Sequence, residues 1–507
     1  VNHSAGSKHE VDRRFSCVAI CHNGYYREFL ARLARSLKER HGSEVHLYCA
    51  RPEIAENQAG GASPGTYDGV HFISPAHPTT FPTDLGEASV VRTARDFETR
   101  YGRSMNWFAM LDRHMGRGYA TAGYYHPRSY QSEKSSYIQF LDNYNAYFDY
   151  WEDEVKRRGI TLLVNGNWRE ALVAKAHGIP NRTITSARFQ NFHYWTTDEF
   201  GDSHAMIPAY NREPLPSAPV ELNSTPVFQE SLRKSMDARG RPSVLAQRIA
   251  RKLVIASRHR LQGHSKAKLY YLRDEIALFV RQWRETRRLS GPGMTRLDDL
   301  RGQPFVYLPL QVDPETNFQG RSPEYLYQHA AAVSISRDLP AGVRLAIKEH
   351  LPAIGRRPDR FYDQLRDLKN VVLLDIRESG LDAVKHARAV VTISGSAGQE
   401  AGVLGKPVIT FGRHNLYNCL PHVQVITDEA QIGPALASAL GPDFDSETAA
   451  REGARFLAAL KTLCFDMESF GDKSRDAFSE SALEAAYERL VESLAEASGT
   501  LLAGSTG

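Results

Sequence analysis

A chain of 507 residues is long for one hydrophobic core, so two or more domains are expected, and 42% hydrophobic with 24% charged residues is ordinary for a globular protein. A net charge of +4 gives no whole-protein case for nucleic acid as a partner. Five cysteines with no Cys-x-x-Cys pair argue for reduced thiols and a cytoplasmic setting; the N-terminus reads as carrying no apolar signal segment, and no apolar run is long enough to span a bilayer.

Phe15 to Cys21 reads as a first strand, with Cys17 and Cys21 as core residues rather than metal ligands. His22-Asn23-Gly24 follows, as a plain turn or as a ligand loop at the strand's carboxyl end. Tyr25 to Arg40 carries Phe29, Leu30, Leu33 and Leu37 at helical spacing, and Glu44 to Cys49 and Val70 to Ile73 are the next strands. This opening points to a doubly wound α/β domain. Residues 100–158 read as mostly helical and rich in aromatics, with Trp107, Tyr147 and Trp151 among the rings expected in a core or cleft wall. Arg113, His114 and Arg117 there suit an anionic sugar acid or a solvated helix face. Thr161 to Val164 is a strand, then comes Asn165-Gly166-Asn167-Trp168-Arg169-Glu170, then a helix from Ala171 to His177. Glu170 is a candidate acid or base, although a glutamate in a first helical turn also stabilises the helix by itself.

Pro214 to Pro226 has the composition of a linker. The helical stretch 231–289 that follows is strongly basic, opposed only by Asp237, Asp274, Glu275 and Glu285. It suits an anionic membrane surface or acidic polymer, or simply a solvated helical face. After Ser290-Gly291-Pro292-Gly293 a second alternation begins. Pro304 to Leu310 is a strand that runs into a loop holding Gln311, Asp313 and Glu315. Tyr325 to Ser336 is a helix, and Val343 to Ile347 is a strand leading to Lys348-Glu349-His350-Leu351-Pro352. A helix at 361–368, a strand at 371–374 and a helix at 381–387 follow, and helices near 446–464 and 473–497 close the chain.

The stretch from Val390 to Gly412 organises the second half. Val390 to Ile393 is a strand, Ser394-Gly395-Ser396-Ala397-Gly398 a small-residue loop, and Gln399 to Leu404 a helix that Gly405-Lys406-Pro407 stops before the strand Val408 to Phe411. Such a loop lets backbone N–H groups and two hydroxyls meet an anion at a helix N-terminus. It also serves as a tight turn whose glycines only pack.

Pro-Leu-Gln-x-x-Pro-Glu, Lys-Glu-His, Thr-Ile-Ser-Gly-Ser-Ala-Gly-Gln-Glu-Ala, Gly-Lys-Pro-Val-Ile and Phe-Gly occur in that order. The set resembles bacterial capsule and surface-polysaccharide glycosyltransferases, including Kdo (3-deoxy-D-manno-octulosonic acid) transferases, over about residues 303–425. The family usually has Lys-x-His-Pro, whereas Leu351 here separates His350 from Pro352. The resemblance implies an α/β fold of two Rossmann-like doubly wound domains facing a cleft (GT-B-like) with a basic helical insert between them. The expected boundaries are 14–213 for an acceptor domain, 214–302 for linker and basic helices, 303–480 for a nucleotide-sugar domain and 481–507 for a C-terminal helix and tail. It implies donor contacts from Gln311, Lys348, Ser394, Gly395, Ser396, Ala397, Gly398, Gln399, Glu400, Phe411 and Gly412.

The chemistry such a transfer needs agrees with these residue types. The loop supplies neutral donors, Lys348 a positive charge, and His350 a hydrogen bond or proton to the leaving phosphate. Glu400 and Gln399 could meet a ribose, or Glu400 could only cap its helix. Glu315, with Asp313 in reserve, is the nucleophile if configuration is retained, and a carboxylate is the base if it is inverted; Glu170 is the candidate in the other half. With no histidines paired at ligand spacing, metal independence is expected, and no cofactor beyond a nucleotide-sugar co-substrate. The leading expectation is transfer of Kdo from CMP-Kdo to a surface glycan or glycolipid acceptor, in the cytoplasm or on the inner membrane face. The alternatives are a UDP-sugar 2-epimerase and a non-catalytic glycan-binding assembly protein.

Overall fold

The computed structural model describes residues 13–22, 26–50, 65–73, 86–111, 123–128, 133, 135–223, 226–261, 270–312, 322, 327–468 and 479–503. In chain order its first elements are β1 Cys17–His22, α1 Arg27–His41, β2 Glu44–Cys49, β3 Gly69–Phe72, α2 Glu87–Tyr101, α3 Met105–Leu111, α4 Tyr137–Arg158, β4 Leu162–Val164, α5 Trp168–Ala176, β5 Asn181–Arg182, β6 Ile184–Ser186 and β7 Phe192–Trp195. Next come α6 Met206–Arg212, α7 Pro226–Arg239, α8 Pro242–Leu261, α9 Leu272–Leu289, β8 Phe305–Pro309, α10 Gln328–Asp338, β9 Arg344–Lys348, α11 Phe361–Asp367 and β10 Val371–Leu373. The last are α12 Gly380–His386, β11 Ala389–Thr392, α13 Ser396–Val403, β12 Val408–Thr410, β13 Val423–Val425, α14 Ile432–Leu440, α15 Ser446–Leu463, β14 Phe465–Asp466 and α16 Glu480–Ala503.

The chain forms two compact units. Unit 1 is built on a parallel sheet of order β3-β2-β1-β4-β5. All six residues of β1 are buried, as expected of a central strand covered on both faces. The stripe Phe29, Leu30, Leu33 and Leu37 of α1 enters the same core, and α1 ends at Gly42, whose φ of 65° suits glycine. A small antiparallel sheet, β14-β7-β6, adjoins it.

Unit 2 has a six-stranded parallel sheet of order β10-β9-β8-β11-β12-β13. Counted from β8, that is the 3-2-1-4-5-6 order of a doubly wound fold, whose direction reverses between β8 and β11. Two doubly wound α/β units are therefore present, and the basic helices α7, α8 and α9 belong to unit 2.

The units are not the continuous spans read from the sequence. Residues 105–136 leave the first half for unit 2, and residues from Lys461 onward return to unit 1. Specific bonds account for both excursions. Tyr125 N donates to Arg356 O at 2.7 Å, and Arg128 Nε donates to the Asp274 carboxylate at 2.7 Å. The C-terminal helix α16 buries Ala486, Tyr487, Leu490 and Leu494 in the unit 1 core and accepts from Trp195 Nε1 at Ala486 O (2.8 Å). A fully buried Arg182 reaches Ser493 O at 2.7 Å.

Candidate functional site

The carboxyl ends of β8, β9 and β11 meet at the switch point of unit 2, where doubly wound sheets hold ligands. Gln311, just past β8, is buried and clamped there. Its N–H donates to Gln328 Oε1 at 2.5 Å, and its carbonyl accepts from Gln328 Nε2 at 3.2 Å. Its side-chain Nε2 reaches Thr392 Oγ1 at 3.3 Å, tying β8 to β11. Thr392 Oγ1 also accepts from Gly395 N at 3.2 Å. A Cβ at Gly395 would lie 2.7 Å from Gln311 Nε2, so a side chain there would displace the end of Gln311 from Thr392.

The Lys-Glu-His segment separates into three roles. Glu349 is buried and binds inward: Oε2 accepts from Arg357 Nε at 2.6 Å and Tyr362 OH at 2.7 Å, and Oε1 from Arg357 Nη2 at 2.8 Å and His350 N at 2.6 Å. Arg357, 0% exposed, also donates to Gln311 O at 2.6 Å. One buried ion pair thus fixes the strand ends of β8 and β9 together. Lys348 is half-buried, and no hydrogen bond or ion pair among the described residues engages its ammonium. Burial lowers its pKa, while Glu349, Asp375 and Glu378 oppose the shift.

His350 has a solvent-exposed surface, yet burial of its ring is the largest cause lowering its pKa, with Glu349 opposing and Lys348 and Arg357 adding. The exposed surface describes access and the crowding describes electrostatics, and the direction they allow is a shift toward the neutral form. A neutral imidazole suits a hydrogen bond to an anion better than proton donation; an approaching phosphate would push the other way. The extra Leu351 opens a 3₁₀ turn over Leu351–Ala353 that takes Pro352 without disturbing β9.

Helix α13 begins earlier than its small residues suggest. Gly395 is its N-cap in an extended conformation, so Ser394 and Gly395 form the loop while Ser396, Ala397 and Gly398 form the first helical turn. Of the first-turn N–H groups, that of Gly398 donates to Gly395 O at 3.2 Å, and Ser396 is exposed there. Ser394, Ala397, Gly398 and Gln399 are buried. A Cβ at Gly398 would meet Tyr417 OH at 2.4 Å, so this glycine serves close packing. Burial raises the pKa of the half-buried Glu400, whose charge reaches Tyr307 on β8. Phe411 is a core ring, and Gly412 is held by Asn415, whose Nδ2 donates to Ile393 O at 3.2 Å and Gly412 O at 3.0 Å.

Gln311, Lys348, His350 and the α13 N-terminus thus sit at one sheet edge. Asp313 and Glu315 lie outside the described residues, as do Asn23, Gly24, Arg113, His114 and Arg117. Glu170 belongs to unit 1. It is buried in the first turn of α5, Oε1 accepts from Tyr147 OH, and Oε2 has no hydrogen-bond partner among the described residues. In the same unit Cys17, Glu44 and His46 each bring a ligand atom within 4.8 Å of the others. Burial holds that thiol up at about 11, and His46 Nε2 bonds Glu44 at 2.7 Å. No helix among the described residues is long and apolar enough to cross a membrane.

Sequence reasoning missed Glu349, Arg357, Gln328, Thr392 and Asn415, the residues that hold the site rather than face it. A carboxylate between a lysine and a histidine, with an arginine eight positions on, was the signal for the first pair.

No family model matches the chain, and no curated protein matches it in sequence. Solved structures do. KpsC of Thermosulfurimonas dismutans, a beta Kdo 2,7 transferase, is 15% identical over 70% of this chain and 89% of its own, with a TM-score of 0.31. HepE of Anabaena, solved with UDP, is 11% identical over 95% of this chain and 100% of its own, with a TM-score of 0.32. UDP-GlcNAc 2-epimerase of Methanocaldococcus jannaschii, solved with UDP-GlcNAc and UDP, is 9% identical over 88% and 99%, with a TM-score of 0.29.

Proposed function

We propose that this protein is a glycosyltransferase that moves a sugar from a nucleotide donor, with CMP-Kdo as the leading donor, to a surface glycan or glycolipid. Unit 2 takes the donor and unit 1 the acceptor. The observation that supports the reading is the switch point of unit 2, where a Lys348 ammonium with no hydrogen bond or ion pair among the described residues and the first turn of α13 share the sheet edge with Gln311. Cation and helix terminus together suit a diester or diphosphate, and His350 adds a hydrogen bond as negative charge grows on the leaving phosphate. The clamped backbone of Gln311 and Gly395 is set before ligand arrives, which is how fixed dipoles act on developing charge. Glu315 or Asp313 is the carboxylate proposed to act at the anomeric carbon.

The test is a thermal-shift panel of CMP, CDP, UDP and GDP on the full chain. A ligand at a hundredfold excess over its Kd adds about 2.7 kcal/mol to stability. A shift by one nucleotide assigns the donor class, and transfer from the matching sugar nucleotide to acceptor assigns the activity. A UDP-sugar turned over without acceptor would replace the reading with epimerisation, and no shift by any nucleotide would end it.

A further inference from the structure

Unit 2 holds a second feature that donor binding does not use. A cavity of about 570 Å³ opens between α9 and residues 358–362, lined by Arg281, Arg284, Arg287, Arg288 and Arg360, with Trp283 in its wall. Two of these arginines are committed within the fold. Arg281 donates to Asp359 Oδ1 at 2.8 Å, Gly355 O at 3.1 Å and Arg357 O at 2.7 Å, and Arg288 pairs with Asp363. The other three form no ion pair among the described residues. The Arg284 and Arg360 side chains have no hydrogen bond or ion pair among the described residues, and Arg287 lies over the Trp283 ring, 5.3 Å from its centroid. All three are exposed.

The acidic groups in the lining do not balance them. Asp359 already meets Arg281, and Glu285 accepts from Gly355 N at 2.6 Å while burial raises its pKa toward the neutral form. Arg360 stands at φ 62°, a left-handed conformation that a side chain adopts at a cost and that recurs at ligand sites. Trp283 is half-buried and its ring is fixed by Nε1 donating to Gly240 O at 3.0 Å. Unneutralised guanidinium forks around a fixed aromatic ring match one chemistry well. Carboxylates pair with the forks, and the C–H face of a sugar ring packs on the indole.

We propose that this cavity binds an acidic oligosaccharide, holding part of a carboxylated glycan apart from the reacting sugar. The concave, aromatic-walled shape favours a glycan over an anionic membrane, which would meet an open surface. Tyr362 links the cavity to the donor edge: it lines the cavity and donates to Glu349 at 2.7 Å, next to His350. The source of the ligand, a growing polysaccharide, rests on the transferase reading; the binding itself does not.

The experiment is calorimetric titration of the full chain with hexagalacturonate, with maltohexaose as the neutral match, pyrophosphate as the small anion and phosphatidylglycerol vesicles as the membrane. Hexagalacturonate should bind at least about 10-fold more tightly than maltohexaose, and Arg284→Gln with Arg360→Gln should weaken it on the order of 10-fold or more. Arg284→Lys should recover only part of that loss, because a point charge replaces a fork. Nucleotide-induced thermal shifts should stay unchanged in these variants, which also reports that unit 2 is folded. Equal binding of the neutral hexamer, equal affinity in the double variant, equal affinity for pyrophosphate, or arginine-dependent vesicle binding without hexagalacturonate binding would each overturn the proposal. Glycan binding without any nucleotide shift would leave this cavity standing and remove the donor reading; the reverse would remove only the cavity.

Discussion

Replacing Arg357 by methionine tests whether a buried ion pair builds the proposed donor edge. Arg357 is 0% exposed and makes bonds of 2.6 and 2.8 Å to Glu349 and 2.6 Å to Gln311 O. Methionine fills most of the volume and leaves the Glu349 carboxylate buried beside only Tyr362 OH and His350 N. Removing one partner of such a pair costs about 3–5 kcal/mol, most of it the stranded charge. Adding Glu349→Gln removes that charge, so the double variant should recover about 1–3 kcal/mol relative to the sum of the two singles. The two units need not unfold together, so a single global midpoint is the wrong readout. Native-state hydrogen exchange on peptides covering β8 and β9 reads unit 2 alone. Nucleotide affinity should fall as well, because the Gln311 carbonyl loses its donor. A cost below about 1 kcal/mol at β8 and β9, or strict additivity of the double variant, would refute the reasoning.

Three further outcomes are expected. Gly395→Val places a Cβ 2.7 Å from Gln311 Nε2, so nucleotide binding should be lost while circular dichroism stays native; undiminished binding in a thermal-shift assay would remove this loop from the site. His350→Ala removes one hydrogen-bond donor to the developing charge, so it should lower turnover on the order of 10²-fold with little change in nucleotide affinity, measured by steady-state kinetics, and near-normal turnover would make the residue structural. Burial, then Arg158 and His46, push His71 down to about 4 in unit 1, whereas the unfolded chain protonates it near 6.5. Between those values the unfolded state binds more protons, so unit 1 should lose stability as pH falls from about 6.5 to about 4. Exchange protection in β2 and β3, corrected for intrinsic rate, should show that slope, and His71→Gln should flatten it.

The second alternation of apolar strands and helices was legible because each segment carries its own period. β8, β9, β10, β11 and β12 fall within about two residues of where hydrophobic runs put them. The start of α13 was not: Ser396, Ala397 and Gly398 resemble a loop by propensity, yet they form the first helical turn, with Gly398 close against Tyr417. The short strands β7, β13 and β14 were also missed, since two to four residues give too little period to read.

By itself the sequence determined the class of fold and put Gln311, Lys348, His350 and the Ser394–Gly395 turn just past strand ends, which the structure gathers at one sheet edge. These follow from local information, a strand's end and the polar residues just beyond it. Only the tertiary structure decided that Glu349 faces inward to Arg357, that Phe411 is a core ring, and that the chain returns to unit 1 with α16. The physical reason is the same in each case. An amphipathic face or a buried charge declares that it needs a partner, but nothing within its own few residues says which distant surface supplies one.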